Sequence, residues 1–415
     1  MIEHLQSAVG ALVILGIAYA WGPRALRRHI NWHTVLWGCV LLLAFAFVVL
    51  KTPASIVFSY ANDAVERLLE FSREGAQFVF GDLARSEGPA AFVFAFQILP
   101  TIIFFAALMG ILYYIGVMPF VIRQCGRFLA RTLHVSGAES FSTVADIFVG
   151  QTEAPLVISP YINRLTNSEL NACMVAGFAT TSGGVLAAYV AMLSPYVPGI
   201  AGHLIACSVM SAPAAIVVAK LMFPESETPQ TLGDTSMTVP KSGTNVLDAV
   251  ASGTTDGLKL AVNVAAMLIS FLALTAVINF ALHRAGGWFG LDLTLERLFG
   301  WVFSPLAFVL GVPLEDVAKV GSLLGQKTVL NEFVAYTRMS RELATDPNWL
   351  SPRSRLIASY ALCGFANFGS IGIQIGGYSG LAPDRRSDIA RLAFRAMVGG
   401  LLATCLVACV AGLLI

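Results

Sequence analysis

Charge is scarce in this chain: Asp, Glu, Lys and Arg together make up 12% of its 415 residues, about half the ~25% of a soluble protein. That scarcity excludes a disordered protein, a nucleic-acid binder and an ordinary soluble enzyme. The net charge of +1 gives no reason to expect an acidic partner. Histidine is sparse too: His4, His29, His33, His134, His203 and His283 are scattered, which argues against a histidine-based catalytic or metal cluster. The seven cysteines show no CxxC or Cys/His metal spacing. All but Cys125 sit inside apolar runs and read as small buried hydrophobes, so neither disulfides nor zinc are expected. No P-loop is present, which leaves ATP without a seat and energy to come from an ion gradient.

What the chain has is apolar length. Hydrophobic residues make up 56% of it and the mean hydropathy is +0.74. A crossing takes ~20 apolar residues, so there is room for about eight. The runs fall at 5–22, 33–50, 92–118, 168–193, 200–223, 260–283, 353–381 and 388–415. Between the second and third, residues 54–85 place Tyr60, Ala61, Ala64, Leu68 and Phe71 at helical spacing, with Asp63, Glu66, Arg67, Glu70 and Arg73 on the other face. Such a helix lies in the membrane plane. The polar stretch 225–244 reads as the longest loop. Alternation of the spans puts Arg24, Arg27, Arg28, Lys220, Arg385, Arg386, Arg391 and Arg395 on one side, the cytoplasmic one by the positive-inside rule, with both termini outside. Arg338, Arg341, Arg353 and Arg355 fall on the opposite side, against that rule.

Two segments are too interrupted to span. Residues 140–161 run apolar, then polar through Gly150, Gln151, Thr152 and Glu153, then turn at Pro155 and become apolar again. Each arm reaches about half of a ~30 Å core, the length of a re-entrant hairpin. Residues 317–339 repeat the plan around Asn331 and Glu332, with Lys319 and Lys327 in the first arm. A span interrupted by polar or glycine residues follows each hairpin: Thr180, Thr181, Ser182, Gly183 and Gly184 in one, and Asn367, Gly369, Ser370 and Gly372 in the other. Paired interruptions in two halves point to a transporter's midplane site. The charge assignment brings the two hairpins in from opposite sides, which makes the repeat inverted.

Glu153 and Glu332 are the central pair. A carboxylate within the membrane is costly and usually faces a cavity; the alternative is a pair of solvated loop acids at the aqueous surface. Asn367 and Ser370, spaced i, i+3, share one helix face and can bind one small solute, or can join helices. Phe365 on the same segment is an apolar wall or a packing residue. Gly150, Gly183, Gly184 and Gly369 permit helix breaks that free carbonyls for a cation, or serve packing. Asp146, one turn before Gly150, can complete an oxygen cage with Thr180.

Several strings together resemble the concentrative nucleoside transporters: QILPTIIFFAALMGILYYIG (Gln97–Gly116), SGAES (136–140), FVGQTEAPL (148–156), VMSAPA (209–214), LNEFVAY (330–336) and CGFANFGSIGI (363–373). The resemblance runs from about Phe92 to the C-terminus, and the first ~90 residues match in pattern only. It implies an all-α polytopic membrane protein: eight transmembrane helices, two re-entrant helical hairpins in an inverted repeat, and interfacial helices. The organisation it implies is scaffold helices with an interfacial helix (1–135), a first transport repeat (136–223), a cytoplasmic loop with a scaffold helix and an external amphipathic helix (224–312), and a second transport repeat (313–415). By resemblance Gly150, Gln151, Thr152, Glu153, Val185 and Leu260 serve the nucleobase, while Glu332, Phe365, Asn367 and Ser370 serve the ribose. Asp146, Val149, Thr180 and Thr181 match the sodium positions.

The family usually has Asn at the position of Asp146, and Ile, Ala and Ser are commoner at those of Thr181, Ser182 and Gly184. A carboxylate can tighten sodium binding or take a proton, so both coupling ions stay open. The expectation is a homotrimeric, multi-pass symporter of the cell inner membrane. It would import nucleosides such as uridine on a sodium gradient, with membrane lipid around it, no cofactor, no nucleic-acid partner and no enzymatic activity. The other readings are a proton-coupled symporter, a nucleoside channel and a membrane-embedded hydrolase.

Overall fold

The structure, a computed structural model, describes residues 2–52, 55–85, 93–233, 244–287 and 291–415. The middle of the expected loop, 234–243, lies outside the described residues. The architecture is all-helical. Seven helical segments among the described residues are long and apolar enough to cross a membrane. The eighth expected span is divided into Pro352–Leu362 and Phe368–Leu381, each too short to cross alone.

Burial sorts these helices into a kernel and a shell. Asn167–Leu193 and Ile200–Met222 are 89% buried across their most apolar stretch, whereas Glu3–Trp21, Phe94–Tyr114 and Val246–Gly287 are only 22% buried. The shell's exposed faces carry Leu12, Trp32, Phe47, Ile269 and Phe280. In water such faces would be driven inward, but against lipid tails they cost nothing. Ser55–Phe80 is the amphipathic helix the sequence pattern predicts.

The run 260–283 belongs to a much longer helix, Val246–Gly287, of 42 residues. At 1.5 Å per residue it is about 60 Å long, twice the hydrocarbon core. Its added N-terminal turns hold Asp248, Asp256 and Lys259, which hid them from a search for apolar runs. Gly253 and Gly257 let these turns pack against the backbone of Ala106, Ala107 and Ile103 on Leu99–Tyr114, where a Cβ would overlap.

Two helical hairpins enter the kernel from opposite ends of Ile200–Met222. The first begins at Gly137–Asp146, opened by a capping box in which Ser136 and Glu139 exchange hydrogen bonds of 3.2 and 3.1 Å. It returns through Ala154–Val157 and the 3₁₀ turn Ser159–Arg164. A second capping box, Thr166 with Glu169, opens Asn167–Ala179. Lys220, near the end of Ile200–Met222, forms an ion pair with Glu139, and it donates to Ser168 Oγ at 3.0 Å and to Glu225 at 3.5 Å. One buried cation thus ties the roots of both elements to that helix.

The second hairpin, Val317–Val329 with Glu332–Thr345, is rooted at the other end. There Arg355 donates to Tyr196 O (3.1 Å) and Ser340 to Met192 O (3.0 Å). Arg385 reaches the carbonyl of Leu165 at 2.7 Å, at the first hairpin's root, while Arg353 reaches Gly412 O at 2.7 Å at the opposite end. The basic residues are therefore divided between the two ends as the alternation of spans predicts.

Each hairpin is followed by a broken helix. The first halves end at Ala179 and Leu362, and the second halves begin at Gly183 and Phe368. The free Gly183 N–H is taken by Phe148 O of the first hairpin's tip at 2.9 Å. The two breaks meet. Thr181 Oγ1 lies 3.6 Å from Cys363 Sγ, and Gly364, at φ +135°, lies so close to Ala179 that a Cβ would sit 2.9 Å from its carbonyl oxygen. Only glycine accepts both that dihedral and that approach.

Candidate functional site

Where the hairpin tips and the breaks converge there is a cavity of about 680 Å³, walled on its remaining side by Leu99–Tyr114 and Val246–Gly287. Gly150, Gln151, Thr152, Glu153, Val185, Leu260, Glu332, Phe365, Asn367 and Ser370 all line it. They come from five separated segments of the chain. Val149 lines it as well, whereas Asp146, Thr180 and Thr181 are buried behind the first hairpin's tip.

Glu332 is 3% exposed and is the first residue of Glu332–Thr345, where the helix dipole favours a negative group. Tyr189 OH donates to Oε1 and Asn367 Nδ2 to Oε2, each at 3.0 Å. A carboxylate has about four acceptor positions, so both oxygens keep capacity for hydroxyl groups presented from the cavity. Asn367 is itself fixed as the N-cap of Phe368–Leu381, its Oδ1 accepting from Ser370 N at 2.8 Å.

At the other wall Gln151 donates through Nε2 to Ser370 Oγ (3.2 Å) and accepts through Oε1 from Gln374 Nε2 (3.2 Å). Gln374 is anchored in turn on Met174 O at 3.0 Å. Gly177 makes room for this stack: a Cβ there would lie 2.6 Å from Gln374 Nε2 and 3.0 Å from Gln151 Cβ. Thr152 and Glu153 are exposed toward the cavity. Asp256 and Lys259 of the long helix, paired at 3.4 Å, complete a polar rim.

Asp146 ends its helix next to Gly177, whose Cβ would lie 3.4 Å from Oδ1. It is 1% exposed, and neither carboxylate oxygen has a hydrogen-bond partner among the described residues. Its own helix and Asn167–Ala179 both end here, so two negative dipole ends add to the carboxylate. Thr180 Oγ1 donates to Ala176 O at 2.9 Å, leaving its lone pairs available. Uncompensated buried charge of one sign calls for a cation or a proton. No group of three or more His, Cys, Asp or Glu that could hold a metal occurs among the described residues. An ion at Asp146 would therefore complete its shell from hydroxyl and carbonyl oxygens, which suits a hard cation such as sodium.

Comparison with known proteins fits this arrangement. The family model described as "Na+ dependent nucleoside transporter C-terminus" matches residues 203–412, its N-terminal counterpart matches 9–83, and one described as "Nucleoside recognition" matches 95–196. The chain is 44% identical to an uncharacterized transporter of Haemophilus influenzae, over 99% of this chain and 98% of that protein. It belongs to the concentrative nucleoside transporter family. It is accordingly a transporter and not an enzyme. Human solute carrier family 28 member 3 is 40% identical over 99% of this chain, which spans 60% of the human protein's length. CNTnw, solved in an inward-facing substrate-bound state, superposes with a TM-score of 0.91 at 43% identity, covering 99% of this chain and 98% of that one.

Sequence reasoning missed several residues of this candidate site. Tyr189 and Gln374 lie one layer behind the cavity, inside apolar runs where a single polar atom leaves little trace. Tyr189 also packs on Tyr336 and Phe333, with ring centroids 4.3 and 4.9 Å apart. Asp256, Lys259 and Asn263, at i, i+3, i+7 on the long helix, line the cavity. Their helical spacing marks one face, but Asp256 and Lys259 precede the apolar run 260–283 and Asn263 is a lone amide near its start.

Proposed function

We propose that this transporter imports nucleosides such as uridine by symport with sodium across a cell inner membrane, as a homotrimer. In this reading the hairpins are re-entrant, and residues 136–223 and 313–415 are two inverted transport repeats moving against a scaffold built from 1–135 and 224–312. The carrying observation is that ten candidate residues from five segments line one cavity with Glu332 held at its wall by two donors.

Glu332, Asn367 and Ser370 hold the ribose, with Phe365 beside it. A carboxylate accepts from two vicinal hydroxyls while Asn367 holds its second oxygen in place. Gly150, Gln151, Thr152 and Glu153 meet the base edge, and Val185 and Leu260 flank its faces. A sugar lacking the hydroxyls leaves Glu332 buried and under-bonded, so it is rejected. Sodium, as co-transported cargo, sits at Asp146, Thr180, Thr181 and the backbone of Val149. It lies behind Gln151, so its charge organises the tip that meets the base. A potential near 100 mV supplies ~2.3 kcal/mol per charge, and a tenfold gradient adds ~1.4 kcal/mol. Together these sustain roughly 500-fold accumulation with one ion per nucleoside.

The unpartnered Asp146 carboxylate also supports a second reading, in which a proton is the coupling ion. Uridine uptake into proteoliposomes under imposed sodium or proton gradients, for the native chain and Asp146→Asn, tests both. Sodium-driven uptake of intact uridine, with weaker apparent sodium affinity in the variant, is expected. Proton-driven uptake in the native chain selects the second reading, and uptake indifferent to both gradients removes symport.

A further inference from the structure

The two repeats carry the same elements in the same order, and in each the C-terminus of the first hairpin helix meets the C-terminus of the first half-helix. In the first repeat that junction holds Asp146 against the end of Asn167–Ala179, and among the described residues no side chain partners its carboxylate. In the second, Lys327 stands two residues before the end of Val317–Val329. Its Nζ donates to Ala361 O, the penultimate carbonyl of Pro352–Leu362, at 2.8 Å and to Thr404 Oγ1 at 3.0 Å. Lys327 has no exposed surface, and among the described residues no carboxylate forms an ion pair with it. A buried ammonium costs several kcal/mol unless something of opposite sign receives it. Here the receivers are the two negative helix ends.

We propose that the Lys327 ammonium is the second repeat's permanent cation. It occupies by a covalent tether the place that the first repeat keeps, at Asp146, for an exchangeable ion. Both junctions need positive charge because both present converging carbonyl ends beside a site-forming hairpin tip. One junction borrows it from solution and the other carries it in the chain. The tether limits the cycle to one exchangeable cation per nucleoside, and it holds the second break, hence Asn367 and Glu332, in place without an ion. This inference rests on the symport reading above.

The test is calorimetric titration of uridine into the purified full-length protein in detergent, with sodium chloride replaced stepwise by choline chloride. For the native chain, a tenfold drop in sodium should weaken binding by at most about tenfold, the linkage of one ion. Lys327→Met should steepen this toward about a hundredfold, because a second sodium enters the vacated junction. Lys327→Gln separates charge from hydrogen bonding: its amide can still donate to Ala361 O and Thr404, so a purely structural role predicts native behaviour. The proposal expects Lys327→Gln to follow Lys327→Met, and Lys327→Arg to keep the one-ion slope. A one-ion slope in both neutral variants overturns the proposal and leaves the symport reading intact. Loss of folded protein in both that neither sodium nor lithium reverses also overturns it. Absence of any sodium dependence in the native chain overturns the symport reading itself, and this inference with it.

Discussion

Asn367 holds Glu332 from across a helix break: its Nδ2 donates to Oε2 at 3.0 Å while its own Oδ1 caps the following helix through Ser370 N at 2.8 Å. The hairpin tip and the break are thereby fixed to each other by a single side chain, before any solute arrives. This arrangement makes the oxygen count at Glu332 decisive. Glu332→Gln offers Tyr189 and Asn367 one acceptor where they now have two, and weakens every hydroxyl contact by removing the charge. Charge-assisted hydrogen bonds contribute ~1.5–3 kcal/mol, so uridine affinity should fall roughly 10–150-fold. Melting in detergent should stay near the native value, because a buried charge is removed along with its partners' gain. Native affinity in that variant would remove Glu332 from the ribose site.

The crossing of the two breaks gives a second expectation. Gly364→Ala places a methyl group 2.8 Å from Thr404 Cγ2 and 2.9 Å from Ala179 O at a dihedral that L-residues avoid. Strain of this kind costs about 1–3 kcal/mol. The substitution should lower the melting temperature and weaken uridine binding together, although Gly364 does not line the cavity. A variant that loses neither would show that the breaks can separate freely.

The Lys220 cluster predicts a purely structural loss. Lys220→Met leaves the buried Glu139 without its cation, and breaking such a pair costs about 3–5 kcal/mol. Lys220→Met with Glu139→Gln should recover much of this, since the most deeply buried partner is then neutral and only the part-exposed Glu225 loses its cation. Thermal melting of the single and double variants measures the difference, and a single variant as stable as the native chain would refute it.

The second hairpin's root supplies a pH dependence. Burial raises the Asp316 carboxyl, but donation from Ser351 N at 2.9 Å and from the Ser354, Ser351 and Lys319 side chains outweighs it and holds the carboxyl below the usual range. A depressed folded value means that the group's stabilisation is full above its unfolded value, ~3.9. It is lost as pH falls through the folded value. Melting temperature should therefore drop more steeply below about pH 4 for the native chain than for Asp316→Asn, which has no such proton to take up.

The hairpins and the breaks were legible in the sequence because membrane helices rarely tolerate polar or glycine runs, so Gly150 to Glu153 and Thr180 to Gly184 stood out against their surroundings. The same contrast hid other parts. The N-terminal turns of Val246–Gly287 are polar, and an apolar-run search starts at 260 and misses Asp256 and Lys259. Tyr189 and Gln374 act through one polar atom each, and nothing in their spacing marks the partner, which comes from 143 residues away for Tyr189 and 223 for Gln374. Lys327 was visible as a blemish in an otherwise clean arm, but its partners Ala361 and Thr404 emerge only once three elements are packed.

Thr181 against Cys363, with Gly364 pressed on Ala179, joins the halves of the pocket at their backs. In the proposed symport reading, two jaws joined in this way move together. On that reading, passage from one face of the bilayer to the other carries the joined unit as a whole past neighbours that stay anchored in lipid. A cross-link between the two breaks should therefore be tolerated by uptake, whereas one between Leu99–Tyr114 and the first hairpin's tip should arrest it.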